Sequence, residues 1–382
     1  MDMKTTLKTS VAVGALFALA APVASGSAEA GFKNQNSKVN LTMGGQIVRS
    51  LLHADDGERT QLFNIDGRST GTRVRYIVSG QLTESVKVGG LLEHDVGQSN
   101  DSFDFTGSGV GDEVHGNTTA FGIRHHHMTF SHKSMGKLTI GRANTASNGT
   151  SEVGLNGAGD LVLGGNTMLS TIEFTTGTGG AFSGITAASQ TSTFDGMSRD
   201  DVVRYDSPKI GGFALATSLL DNGVTDVALR YGGKVAGLTV KAAASYVNRA
   251  GATSEGTAGA IESQYSMSGA VKHESGLNAR VGYGSGRAEN SGTAPKTVWY
   301  GLGYSAKMSS LGATNLFVER YDAEDIAVAG REMETTYVGV SQKLDSIGST
   351  LGLLYGKHEL TDAASVDYND IDTVMLQTKL TF

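Results

Sequence analysis

The chain has 382 residues, 38 acidic against 31 basic side chains for a formal charge of −7, and no cysteine. The negative balance and the lack of a basic patch speak against nucleic acid as a partner, and without thiols there are no disulfide staples and no Cys-based metal centres. Glycine is abundant at 53, proline nearly absent at 3, and only 39% of the residues are hydrophobic. A membrane wall built of strands has this composition. It needs only alternate residues apolar, and it leaves almost no backbone N–H to spare for proline.

Lys4 and Lys8 give a basic start, and "VAVGALFALAA" (Val11–Ala21) is an apolar run too short to span a bilayer. "AEA" (Ala28–Ala30) has the small-x-small form of a signal-peptidase site. The order predicts a cleaved secretory signal over residues 1–30 and one mature domain over 31–382; a cut near Ser25 or Gly26 is the alternative. The removed piece carries Asp2, Lys4, Lys8 and Glu29, so the mature chain keeps its −7. The exported product is then soluble in the periplasm, secreted, or an outer-membrane barrel, and the composition favours the barrel.

Alternation at period two recurs along the chain. "SKVNLTMGGQIVRSLL" (Ser37–Leu52) reads as a first strand. "RVRYIVS" sets Val74, Tyr76 and Val78 against Arg73, Arg75, Ile77 and Ser79. "LTVKAAASY" sets Leu238, Val240, Ala242, Ala244 and Tyr246 against Lys241 and Ser245. "TVWYGLGYSA" sets Val298, Tyr300, Leu302, Tyr304 and Ala306 against a wet face that includes Trp299, and in "DTVMLQTKLTF" Val374, Leu376, Leu380 and Phe382 share the apolar face.

The connections alternate in length. Tight ones fall at Thr83–Ser85, His132–Gly136, Ser207–Gly211, Gly232–Gly237, Glu274–Gly276, Ser309–Gly312 and Asp345–Gly348. Between them lie long polar ones at His53–Gly67, Gly97–Asn117, Asn144–Ser198, Asn248–Ala260, Arg287–Pro295, Asp322–Gly330 and His358–Asn369, with one short exception at Asp221–Gly223. Seven turns and eight loops predict sixteen antiparallel strands in an all-β transmembrane barrel, with short turns on the periplasmic side. "LSTIEFTTGTGGAFSGITAAS" (Leu169–Ser189) reads as a further hairpin, and eighteen strands is the alternative. Closure lets the last strand pair with the first, so a strand can run to the final residue.

The terminal Phe382 behind Leu380, Leu376 and Val374 resembles the assembly signal of outer-membrane proteins. "RVRYIVSGQLTESVKVGGLLEHDV" (Arg73–Val96), "SMGKLTIGRANTAS" (Ser134–Ser147) and above all "DVVRYDSPKIGGF" (Asp201–Phe213) resemble segments of the Gram-negative general-diffusion porins. The resemblance implies a homotrimer of sixteen-stranded barrels in the outer membrane, each pore narrowed by a long third loop folded into the lumen. It places Arg75, Arg124, Arg142 and Arg199 on a basic constriction wall, opposed by Glu152 and Asp160 of that loop. The implied function is passive diffusion of small hydrophilic solutes and ions. The net charge and acidic loops add a weak cation preference at low salt. The alternatives are a substrate-selective channel for a sugar or an anion and, remotely, a barrel hydrolase.

His125, His126 and His127 invite a metal reading, since His125 and His127 share a strand face about 7 Å apart. No carboxylate stands at a fixed spacing from them, and the porin pattern turns both outward, so no metal is expected. No G-x-S-x-G or H-E-x-x-H appears, and no enzyme is expected. Cofactors are expected to be none, save divalent cations at acidic outer loops facing lipopolysaccharide.

Overall fold

The computed structural model describes residues 38–67, 69–96, 104–107, 109–111, 121–162, 171–249, 261–288 and 294–382. The expected signal segment and most of the acidic Gly97–Asn117 loop lie outside the described residues. The first strands are β1 (Val39–Asp55), β2 (Thr60–Ile65), β3 (Arg73–Gln81), β4 (Val86–Val96), β5 (Asp104–Thr106), β6 (Gly109–Gly111), β7 (Phe121–His132), β8 (Gly136–Asn144), β9 (Thr171–Thr175), β10 (Phe182–Thr186) and β11 (Arg199–Asp206). The rest are β12 (Phe213–Leu220), β13 (Thr225–Val235), β14 (Leu238–Asn248), β15 (Ile261–Lys272), β16 (Leu277–Ala288), β17 (Lys296–Ser309), β18 (Gly312–Glu324), β19 (Glu332–Leu344), β20 (Ser349–Thr361) and β21 (Ile371–Thr381).

The wall closes antiparallel on itself. β1 pairs with β21 from Gln46↔Thr381 to Asp55↔Asp372, and with β3 from Val39↔Gly80 to Gln46↔Arg73. β2 continues the line of β3 along the other half of β1, from Ser50↔Ile65 to Asp55↔Thr60. The excursion between them is organised by Asp66, whose carboxylate accepts from Gly67 N (2.8 Å), Thr72 N (2.9 Å) and Thr72 Oγ1 (2.9 Å). Counting β2 and β3 as one interrupted strand, the described wall has sixteen strands. The expected loop His53–Gly67 is thus mostly strand, turned at Asp56, whose Oδ1 accepts the N–H groups of Glu58 (2.9 Å) and Arg59 (2.6 Å).

The hairpin expected within Leu169–Ser189 forms as β9 and β10, but not in the wall. β8 pairs directly with β11, from Arg199↔Asn144 to Asp206↔Lys137, which leaves no place for two more strands. β9 instead joins β5 in a small four-stranded sheet, so the count stays at sixteen.

Alternation carries through to exposure. On β14, Ala243, Ser245 and Val247 are buried on the inner face, while Ala244 and Tyr246 face outward and are exposed. The inner face is covered by the third loop, which crosses the lumen along the wall from β12 to β21. Ala146 N donates to Ser218 Oγ (2.7 Å) and Ser147 N to Asp226 Oδ2 (2.8 Å). Val153 N donates to Ser268 Oγ (3.0 Å), and Asn156 Nδ2 to Glu319 Oε1 (2.6 Å). Small inner-wall serines let the loop backbone lie close, and their hydroxyls satisfy its N–H groups.

The far end of that loop is held by apolar packing. Leu161 joins Trp299, Phe317, Tyr321, Tyr337 and Met375 in a buried cluster inside the barrel, to which Phe105, Ile172 and Phe174 add from the loops. Met375 and Ile371, the apolar residues on the inner face of the last strand, thereby find their partners. Trp299 does face inward, but it lies buried, with its ring stacked on Tyr321 (centroids 5.8 Å apart) rather than lining an aromatic track for sugars. Gly282 leaves room for the indole, since a Cβ there would stand 2.2 Å from it. Leu161→Ala, with about 2–5 kcal/mol of buried packing lost, is expected to loosen the loop and add current fluctuations in single-channel recordings. An open-channel noise equal to wild type would show that the polar contacts alone hold it.

Candidate functional site: a charged constriction

β3 presents Arg73 and Arg75 to the lumen, and β4 places Asp95 and Glu93 directly opposite them in register. Glu93 is the hub. Arg75 Nε donates to its Oε2, Arg124 Nε to its Oε1 (2.8 Å), and Arg73 Nη1 lies 3.5 Å away. Arg124 also reaches Asp95 (3.4 Å). It can do so because β7 carries a bulge. Glu93 pairs with His125 and His94 with Ile123, which leaves Arg124 as the extra residue. Arg199, at the start of β11, lies within electrostatic range of Arg124, Asp95 and Glu93. The wall is therefore a compensated cluster, four guanidiniums around two carboxylates, rather than a bare arginine row.

The loop side carries Glu152 and Asp195. Asp195 accepts from Gly149 N (2.7 Å), Ser151 N (2.9 Å) and Ser151 Oγ (2.9 Å), which ties the two limbs of the third loop together. Burial and the neighbouring Asp195 carboxyl push the Glu152 carboxyl up to about 8, against the pull of Arg280 and Arg199. Burial raises Asp195 as well. A carboxyl titrating there is protonated at pH 6 and ionised above pH 9. Raising the pH from 6 to 9.5 is therefore expected to add negative charge opposite the arginines and to move the reversal potential in a KCl gradient toward cations. Glu152→Gln should remove that pH-dependent component, and an equal pH response in the variant would assign it elsewhere.

Two of the expected residues stand elsewhere. Asp160 is salt-bridged to Lys379 of β21, and its carbonyl accepts from Gln377 Nε2 (2.7 Å), so it anchors the loop to the wall instead of facing the arginines. Arg142 shares its register with His126 and Asp201, on the outward row of the exposed Met128, Ile140 and Val203. Its Nε donates to Ile123 O (3.3 Å). The resemblance places it inward, but on the unbroken β8 it lies next to the buried Ala143 and in line with the exposed Ile140, and so points out. His125 and His127, which the same resemblance turns outward, stand beyond the bulge on the lumenal face opposite Glu93 and Leu91. Sequence reasoning missed Glu93, Asp95, Arg73 and Asp195. Arg73 shares a face with Arg75, and the alternate acids of "EHD" were a signal for the first two; nothing local marks Asp195.

Beneath the loop, Arg280 pairs with Glu319, stands 4.7 Å from the Trp299 ring centroid, and accompanies a Tyr321 hydroxyl that donates to Glu319 (2.9 Å). These charges are buried and clamp the loop through Asn156; they do not face the pore. Among the described residues no group of His, Asp or Glu converges as a metal site. The described residues thus set a charged wall cluster against the Glu152 and Asp195 carboxyls of the third loop.

Residues 10–363 match the profile of a family described as Gram-negative porin. A search of curated proteins gives no match. Among solved structures the fold is similar to OmpT, an outer membrane protein of Vibrio cholerae (TM-score 0.59, 12% identity, 91% of this chain and 99% of that one). It is similar also to an anion-selective porin from Comamonas acidovorans (TM-score 0.57, 13% identity, 90% and 100%). A third is the outer membrane channel DcaP of Acinetobacter baumannii (TM-score 0.57, 14% identity, 92% and 100%). At such identities the structures speak for the fold alone. With the profile covering most of the chain and a closed sixteen-stranded barrel beneath it, this outer-membrane protein belongs to the Gram-negative porin family.

Proposed function

We propose that the protein is a passive diffusion pore for small hydrophilic solutes and ions, with no catalytic role. The observation that carries this reading is the constriction of Arg73, Arg75, Arg124, Arg199, Glu93 and Asp95 facing a loop that crosses the lumen. Its wall carboxylates are held in arginine pairs, an arrangement that shapes a field. The apolar cluster behind the third loop fills one side of the barrel, and it favours the second reading, a substrate-selective channel of restricted cross-section.

A weak cation preference at low salt follows from the −7 of the chain. The outer ends of β18 to β21 support it, where Asp322, Glu324, Glu332, Glu334, Glu359, Asp370 and Asp372 outnumber Arg320 and Lys357. Single-channel recording in planar bilayers tests both points. Conductance should follow bulk salt conductivity, and the cation preference should fade as the Debye length falls from roughly 30 Å at 0.01 M to about 3 Å at 1 M. A saturating conductance would favour the selective channel, and an anion preference at low salt would mean that the wall arginines outweigh the acidic rim.

We infer a homotrimer as well. The outward polar row of His126, Arg142 and Asp201 suits another protein surface better than lipid, and one related structure is described as a trimer form. At the rim, carboxylates stand directly opposite one another, as in Glu324↔Glu332 and Asp322↔Glu334, on the outward face. Arg320 bridges Asp322 and Glu334 and Lys296 pairs with Glu324, which leaves Glu332 as the rim carboxylate for a divalent cation shared with lipopolysaccharide.

A further inference from the structure

The bulge that brings Arg124 to Glu93 also opens a niche in the inner wall on the side of the β7–β8 turn. Leu91, His125, His127, Thr139, Lys137 and Arg204 line it. The two imidazoles meet edge to face, with centroids 5.5 Å apart, and His125 Nε2 lies 4.0 Å from Glu93, so the niche continues directly from the constriction.

Its charges do not cancel. Arg204 is fully committed, pairing with Asp206 and donating Nη1 to the carbonyls of Asn144 (3.0 Å) and Thr145 (2.9 Å) where the third loop leaves the wall. Lys137 has one contact, 3.4 Å from the same Asp206, and its side chain is 43% exposed. Two cations therefore share one carboxylate, and the ammonium is the movable one. One further lining atom, His125 Nδ1, is buried without a hydrogen-bond partner. Buried polar atoms are nearly always paired, so it is a place for a guest to bond. Leu91 and Ala143 supply an apolar side.

We propose that this niche is a subsite for small organic monocarboxylates on their way through the pore, an inference that rests on the diffusion-pore reading. The carboxylate meets the Lys137 ammonium and the Thr139 hydroxyl, and the apolar body lies against Leu91 and the imidazole edges. One uncompensated positive charge suits a monoanion. A phosphate dianion would want the guanidinium fork as well, and Arg204 has spent its fork on Asp206 and the loop carbonyls.

The test uses the full-length protein in planar bilayers, with KCl current recorded while potassium butyrate, inorganic phosphate or glycerol is added. Each block is normalised to the same channel's current without additive. Butyrate should block saturably and at lower concentration than phosphate, and glycerol should not saturate. Lys137→Gln should raise the half-blocking concentration for butyrate about tenfold, the loss of one charge-assisted hydrogen bond, and Lys137→Arg should restore it. Thr139→Val, which leaves every charge in place, should weaken the block in the same direction. Heat-modifiable mobility on gels confirms that each variant is folded. Equal butyrate block in wild type and Lys137→Gln, or a phosphate block tighter than that of butyrate, overturns the subsite while the pore stands. A folded protein that passes no ion current overturns the pore reading and the subsite with it.

Discussion

Glu93→Gln should turn the pore toward anions, and Arg75→Gln combined with Arg124→Gln should turn it toward cations. Glu93 is 3% exposed and holds Arg73, Arg75 and Arg124 within 3.5 Å. Gln matches Glu in volume, so the first change alters charge at almost constant cross-section. It leaves Arg73, Arg75, Arg124 and Arg199 facing Asp95 alone. The double arginine change leaves Arg73 and Arg199 balanced against Glu93 and Asp95. It also removes bulk, so its conductance rises for steric reasons that say nothing of the field. The sign of the reversal potential separates the two causes. At an effective dielectric constant near 20, charges 4 Å apart interact by about 4 kcal/mol, so the shifts should be several-fold in permeability ratio at 0.01 M salt and small at 1 M. If neither variant moves the reversal potential, these residues do not form the filter. Asp160→Asn, by contrast, should act on loop anchoring at Lys379 and leave the selectivity close to wild type.

The barrel was legible because its two signals are local. Alternation sorts faces two residues at a time, and turn residues such as "SPKIGG" and "SMG" mark the short side without knowledge of the rest of the chain. The eighteen-strand alternative arose because β9 and β10 carry the same pattern as wall strands; only the direct pairing of β8 with β11 decides where they go. The constriction was half legible. Arg75 and Arg124 stand in it, whereas Arg142 and the histidines were assigned to the wrong faces. Those faces came from the resemblance: on β7 the bulged Arg124 shifts the histidines that follow it, and a bulge without a glycine or proline leaves no mark in the sequence, while on the unbroken β8 Arg142 simply points out beside the buried Ala143. Trp299 shows a different limit. Its face was right, but wet and dry regions of the same lumen are distinguished only by where the third loop lies down. Glu93 and Asp195 act through partners 18 to 31 and 44 to 46 residues away, distances at which no spacing rule applies.

Phe382→Asp and Gly45→Val should each deplete folded barrel from the outer membrane while the exported chain still reaches the periplasm. The seam between β1 and β21 runs in register from Gln46↔Thr381 to Asp55↔Asp372, and its last rungs join Gly45 and Phe382, N–H to carbonyl, at 2.9 and 3.1 Å. Phe382, Leu380 and Val374 share the outward face, where they meet lipid. At Gly45 the wall is tight, since a Cβ would stand 2.5 Å from the Arg73 carbonyl and 2.7 Å from the Phe382 ring. The Arg73 carbonyl is backbone and cannot step aside, so a valine must push β1 off β3 or off β21. An open edge in the bilayer leaves a row of unpaired N–H and C=O groups at a cost of several kcal/mol each, so closure is all or none. The two variants differ in cause. An aspartate near the membrane boundary costs only about 0–1 kcal/mol, too little to unfold a finished barrel, so a loss with Phe382→Asp reports on the closing step itself. Phe382→Leu keeps the apolar contact and should insert better than Phe382→Asp. Heat-modifiable folded protein at wild-type levels in outer-membrane fractions of Phe382→Asp would show that the seam closes without that ring, and that the register of β1 and β21 alone carries assembly.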